Sequence, residues 1–206
     1  MQALKWLGAR ILFPITLAWN VLLGRILKVR NWWDFIDEHV IVGAFPFPVD
    51  VDNMAAEGVR AVVNTCNEYG GPVTQYEKHS IEQLRIPTID FTPPSLEDVR
   101  KGVAFVTQHV EQGNTVYIHC KAGRGRSATV ALCWLMAARN MDPWQAQKYL
   151  LDHRSHVHST LPERLVVKQF WNELQQAQES KSSPELENQD GQDDVAESAD
   201  LTDLAE

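Results

Sequence analysis

Apolar residues fall in short blocks through the middle of the chain, separated by turn-forming residues, and the blocks alternate between two periods. His39-Val-Ile-Val-Gly43 reads as a strand that ends in the turn-prone Phe45-Pro-Phe-Pro48. Residues 50–57 read as a short helix closed by Gly58, and the valine-rich run Arg60–Cys66 reads as a buried strand. A loop holding Gly70-Gly71-Pro72 separates it from a further strand, Gln83–Ile89. Ser95, with Asp98 three residues on, is placed to cap a helix that runs to about Glu111 and stops at Gly113. Thr115–His119 is the next strand, and a long apolar helix runs from Ala128 to about Arg139. Asp142-Pro143 opens another helix, and residues 162–178 make the last. Strands separated by helices predict an α/β fold with a mainly parallel central sheet and helices on both faces. Ligands in such sheets bind beyond the carboxyl ends of the strands, so the junction after His119 is the place to look for a site.

The two ends have a different character. Residues 11–24 carry no charge and are flanked by Lys5, Arg10, Arg25, Lys28 and Arg30. A spanning helix needs about 20 apolar residues, which this run reaches only by extending to about Leu27 past Arg25. The segment 1–30 is therefore expected to attach to a membrane, as a short span, an interfacial anchor or an arginine-containing targeting segment; a buried helix packed on the body is the alternative. If it spans, the basic residues after it outnumber those before it, which puts the catalytic body on the cytoplasmic side. Residues 180–206 lack aromatic residues and are rich in Ser, Glu, Asp and Gln, so they are expected to be a disordered acidic tail. The body between, 31–179, is the expected catalytic domain.

Charge and cysteine usage narrow the chemistry. The formal net charge is −8, but residues 181–206 hold nine acids and one lysine, so the rest of the chain is balanced and its acidity says nothing about the substrate. No nucleic-acid partner is expected. Cys66, Cys120 and Cys133 are odd in number and irregular in spacing, which suits a reducing compartment better than a disulfide framework. Nothing has metal-ligand spacing, and no metal or other cofactor is expected. Cys66 and Cys133 read as buried structural thiols.

Cys120 is different. In Ile118-His119-Cys120-Lys121-Ala122-Gly123-Arg124-Gly125-Arg126-Ser127, a tight loop between strand and helix turns successive N–H groups inward, making an anion nest reinforced by the helix dipole. Residues 121 to 125, Lys121, Ala122, Gly123, Arg124 and Gly125, are the expected phosphate cradle, with the glycines permitting positive φ and close backbone approach. Arg126 offers a planar guanidinium matched to two phosphate oxygens. The same field lowers a thiol's pKa to roughly 3.5–7.5, so Cys120 is expected to be a nucleophilic thiolate. His119 is expected to orient the loop through the backbone rather than act as a base, and Ser127 to donate to the sulfur. The leaving oxygen needs a proton; Asp90, after the strand ending at Ile89, is the expected general acid, with Glu68 and Asp98 as competitors.

The run His119–Ser127, with an aspartate loop some thirty residues upstream, resembles the active-site motif of the dual-specificity branch of the protein tyrosine phosphatases. Trp33–Asp37, Val42–Pro46, Asn64–Tyr69, Leu84–Phe91 and Arg154-Ser155-His156 further resemble the mitochondrial-type phosphatases that act on phosphatidylglycerophosphate. The chain departs from them by continuing Val157–Leu161. The loop is also similar to that of the phosphatase and tensin homologue, a lipid phosphatase with basic residues where Lys121 and Arg124 stand. The resemblance implies Cys120 as nucleophile, Arg126 as phosphate binder and Asp90 as acid. It also implies a phosphocysteine intermediate and a mitochondrial place in a eukaryotic cell. A phospholipid substrate is favoured by the loop's charge and the N-terminal segment; a phosphoprotein substrate and an inactive phosphate-binding adaptor are the alternatives.

Overall fold

A computed structural model of the chain describes residues 14–182; the expectations for residues 1–13 and 183–206, Lys5, Arg10 and the acidic tail among them, lie outside the described residues. Five strands form one sheet in the order β1-β2-β5-β3-β4: β1 Trp33–Asp37, β2 Val40–Gly43, β3 Val59–Cys66, β4 Glu82–Thr88 and β5 Thr115–His119. β2, β5, β3 and β4 are parallel, and β1 adds an antiparallel edge on β2. The central β5 pairs Ile118 with Val42 on one side and Val63 on the other.

Side-chain alternation divides the core. Val40, Val42, Ala61, Val63, Val116 and Ile118 point to the face covered by α4 Leu96–Glu111, α5 Arg126–Arg139, α6 Pro143–His153 and α7 Leu165–Ser182. Ile41, Val62 and Tyr117 point to the other face, under α2 Val51–Ala56 and α3 Val73–Lys78, where they meet Met54 and Tyr76. Because both faces are covered, the inner strands read as near-continuous apolar runs. The α/β expectation therefore holds, with helices on both faces.

The caps follow the sequence. Ser95 Oγ accepts from the Asp98 N–H at 3.2 Å, and Asp142 Oδ1 accepts from Trp144 and Gln145 N–H at 2.8 and 3.0 Å. Two elements went unread: the edge strand β1 and the six-residue α3. The long apolar helix also begins two residues earlier than expected, at Arg126, so the guanidinium sits in its first turn.

Residues 14–21 are helical and run into a π-helical turn, Leu22–Ile26; together they are α1. Among the described residues, no helix is long and apolar enough to cross a membrane. α1 lies on the body instead, with Leu17 and Val21 packed on Trp32, Ala44 and Phe45. Two of the flanking arginines turn inward. Arg25 pairs with the buried Asp50 at 2.5 Å and stacks 4.4 Å over Trp32, and Arg30 donates to Asn20 Oδ1 at 2.8 Å.

Candidate active site

β5 ends at His119, and the chain then turns through Cys120–Gly125 into α5. Gly123 makes the turn at φ +67°, and a Cβ built there would lie 2.6 Å from the Gly43 carbonyl and 2.7 Å from Arg154 Nη2. Only glycine fits both the backbone angle and the space. Inside the turn, the Gly123 N–H and the Ser127 hydroxyl donate to Cys120 Sγ at 3.3 and 3.4 Å. Burial alone would push the Cys120 thiol up; the Arg126 guanidinium, the Ser127 hydroxyl and the backbone N–H groups of Ser127 and Arg124 outweigh it and bring the thiol down to about 6. Burial pushes the Cys66 and Cys133 thiols far up, in keeping with structural roles.

This difference gives a direct test. The thiolate is the reactive form, so inactivation by iodoacetamide should accelerate as pH rises through about 6 and level off near neutrality. A rate still climbing above pH 8, as for an ordinary thiol of pKa about 8.5, would show that the sulfur is not ionised by its surroundings.

His119 is buried and held neutral, its pKa lowered to about 3 by burial. Its carbonyl accepts from Thr65 Oγ1 at 2.8 Å, and its ring lies 3.4 Å from the Cys120 carbonyl. It therefore touches backbone at the start of the loop and is poorly suited to take a proton.

Arg126 is nearly enclosed. Its Nη1 donates to Glu68 Oε2 at 2.9 Å and to the Thr88 carbonyl at 2.7 Å, and its Nη2 donates to Asp90 Oδ1 at 2.9 Å. Glu68 Oε1 also accepts from the Asp90 N–H at 2.9 Å. Glu68 thus orients both the guanidinium and the aspartate loop rather than competing with Asp90. Asp98 is occupied at the start of α4. Lys121, expected in the phosphate cradle, is buried with its side chain committed elsewhere: its Nζ donates to Asp90 Oδ2 and, at 2.6 Å, to Thr16 Oγ1. Phe91, which follows Asp90, has φ +64° and is 73% exposed at the mouth, with its ring 4.9 Å from Lys121 Nζ.

The loop is braced from outside by residues that sequence reasoning missed. Arg154 is buried, donates to the Gly123 carbonyl at 2.9 Å and the Ala122 carbonyl at 3.2 Å, and pairs with Asp34 on β1. It holds the back of the loop and does not reach the phosphate seat. Arg164 donates to the Gly125 carbonyl at 3.2 Å and Thr129 Oγ1 at 2.6 Å, and Arg124 Nε donates to the His156 carbonyl at 2.7 Å. From α1, Asn20 donates to the Lys121 carbonyl at 3.1 Å. Of the bracing residues Arg154, Arg164 and Asn20, the sequence signalled only Arg154, through the Arg154-Ser155-His156 resemblance; the other two are distant in sequence from the loop.

A cavity of about 300 Å³ opens over the loop, with Cys120 and Arg126 in its lining and Thr16, Trp19 and Asn20 of α1 as one wall. The sequence-predicted Cys120, Arg126, Asp90 and Lys121, with Ala122, Arg124 and Gly125, share it; Gly123, Ser127 and His119 support the loop from within. Among the described residues, no cluster of His, Cys, Asp or Glu could hold a metal ion.

Residues 41–180 match the family described as dual specificity phosphatase, catalytic domain. The chain is 36% identical over 187 residues to the mouse phosphatidylglycerophosphatase and protein-tyrosine phosphatase 1, covering 84% of this chain and 96% of that protein. It is 38% identical over 159 residues to the Arabidopsis thaliana phosphatidylglycerophosphate phosphatase PTPMT1; that match takes in 76% of this chain and 47% of the plant protein, so the chain spans about half the length of that relative. A crystal structure of PTPMT1 in complex with PI(5)P superposes with a TM-score of 0.66 at 33% identity, covering 72% of this chain and 99% of the other. With the thiol, the guanidinium and the glycine turn in place and the match running the length of the described body, this chain belongs to the dual specificity phosphatases.

Proposed function

We propose that this chain removes the terminal monoester phosphate of an anionic phospholipid, phosphatidylglycerophosphate or a phosphoinositide, at a membrane surface. Hydrolysis of phosphate monoesters is the reaction of its family. The observation that carries the residue assignment is the sulfur of Cys120, which receives the Gly123 N–H and Ser127 hydroxyl beside Arg126 and is ionised near neutral pH.

In the first step the substrate phosphate seats in the loop and takes Asp90's place on Arg126. Cys120 attacks phosphorus and the S–P bond forms as the P–O bond breaks; the proton of the substrate's phosphate monoanion, passed to Asp90 once the phosphate has displaced it from Arg126, goes to the departing oxygen. In the second step water attacks the phosphocysteine, Asp90 takes the water's proton, and the sulfur leaves as a thiolate stabilised by Ser127. Backbone N–H groups and Arg126 stabilise the charge on the equatorial oxygens throughout.

Three observations favour a lipid. The relatives in mouse and Arabidopsis are named for phosphatidylglycerophosphate, and PTPMT1 was crystallised with PI(5)P. The cleft is rich in cations. Apolar side chains stand exposed beside its mouth: Ile15 and Trp19 on α1 at 63% and 60%, and Phe91. α1 would then face the bilayer surface. The catalytic domain would be 31–179, with an acidic tail after it, in a reducing compartment that in a eukaryotic cell is mitochondrial.

A phosphoprotein substrate is the second reading, since the mouse relative's name includes protein-tyrosine phosphatase. Turnover of phosphatidylglycerophosphate in vesicles, measured on the full chain against phosphotyrosine and phosphothreonine peptides, separates the two. The lipid should be the faster substrate by tenfold or more; faster peptide turnover would reject it.

A further inference from the structure

The cleft holds more positive charge than one phosphate uses. Arg126 and Lys121 face Asp90, and Arg126 also faces Glu68 and the Cys120 thiolate. Arg30, Arg124 and Arg164 line the same cavity and form no ion pair with a carboxylate among the described residues. They come from three separate parts of the chain: the segment after α1, the loop itself and the start of α7. Like charges seldom gather in a partly enclosed site without a counter-ion, because each guanidinium disfavours the others there. The effect is visible: Arg30 is lowered by burial and then by Arg124 and Arg154, and His158 by burial and then by Arg124 and Arg164.

Their donors are only partly used. Arg124 donates through Nε alone, Arg164 through Nη1 alone and Arg30 through Nη2 alone, all to uncharged oxygens. Each guanidinium therefore keeps further N–H groups for an anion. The cluster also adjoins the loop directly. A Cβ built on Gly125 would meet His158 Cδ2 at 3.1 Å and Arg164 Nη2 at 3.4 Å. Arg30 reaches the loop through Asn20, which donates to the Lys121 carbonyl.

We propose that Arg30, Arg124 and Arg164 form a second anion subsite, which takes a second phosphate of the substrate while its scissile monoester sits on Cys120. The subsite rests on the reading of the Cys120 loop as the monoester seat and sharpens it. The substrate class becomes molecules carrying two phosphate groups a short polyol apart, such as a phospholipid whose headgroup bears a phosphodiester and a terminal monoester.

The test uses the full chain and two variants, Arg30→Gln and Arg164→Gln, with thermal unfolding to confirm that each is folded. Substrates are an aryl phosphate, with one phosphate, and a short-chain phosphatidylglycerophosphate below its micelle concentration, with a monoester and a diester but no bilayer. In a second arm, propane-1,3-diyl bisphosphate and propyl phosphate compete with the aryl phosphate. The variants should lower the ratio of kcat/KM for the lipid over the aryl phosphate by tenfold or more, mainly through KM. They should also weaken inhibition by the bisphosphate more than inhibition by the monophosphate. An effect on both the lipid and the bisphosphate supports a subsite for phosphate of either source; an effect on the lipid alone assigns it to the diester of a headgroup. If both ratios stay within twofold of wild type in both folded variants, the subsite does not exist. A wild-type enzyme that hydrolyses the aryl phosphate but not the short-chain lipid would reject the lipid reading, and the bisphosphate arm would still decide the subsite.

Discussion

Replacing Cys120 with serine should abolish turnover of a chromogenic aryl phosphate, with a loss on the order of 10³-fold or more. The substitution exchanges one atom and leaves the fold and the anion seat in place. The cost arises because a hydroxyl, unlike this thiol at about 6, does not ionise near neutral pH even with the Gly123 N–H, Ser127 and Arg126 around it. The attacking atom would then have to lose its proton during the reaction, and His119, buried, neutral and turned toward backbone, is in no position to accept it. The variant should still bind phosphate, detectable as retained thermal stabilisation by an oxyanion. Equal rates for wild type and Cys120→Ser would reject the enzyme and leave an oxyanion-binding adaptor.

Arg126→Lys should lower kcat/KM by roughly 10² to 10³-fold, comparable to losing a preorganised donor to a developing oxyanion. Here the charge survives and the fork does not. Lysine has one nitrogen where arginine uses Nη1 on Glu68 and Thr88 and Nη2 on Asp90. It cannot span two phosphate oxygens while remaining tied to β4 and the Glu68 loop. Because the positive charge is kept, the pH at which iodoacetamide reactivity rises should move little. A large shift of that pH with small loss of rate would mean that Arg126 acts mainly as a charge on the sulfur. A large loss of rate with little shift would mean that it acts mainly as a template for the phosphate.

The sequence disclosed what is local. The Cys120–Ser127 loop was legible because every group that defines it lies within eight consecutive residues between a strand and a helix. The inner strands were legible because burial on both faces makes them uniformly apolar. β1 was hidden by being an edge: Asp34 and Asp37 interrupt it, and they hold Arg154, just after α6, and Arg139 of α5. α3 is six residues long and has no side-chain cap, too short for a helical period to show. Arg30 was legible only as a charge flanking the N-terminal segment, Arg154 only as part of a resemblance, and Arg164 not at all, because their roles depend on partners many residues away. α1 was legible only as an apolar run: the sequence could not show that Leu17 and Val21 pack on Trp32, Ala44 and Phe45 or that Thr16 and Asn20 line the cleft, because those partners are distant in the chain.

At rest, the guanidinium that should grip the substrate is already gripping a carboxylate of its own. Entry is therefore an exchange of one anion for another, and a neutral molecule has nothing to offer in the trade. The incoming group must satisfy Arg126 well enough to release Asp90, and Asp90 is the residue then wanted as proton donor. On the proposed assignment, seating the substrate and freeing Asp90 from Arg126 are one exchange, with Lys121 still holding the other oxygen of that carboxylate.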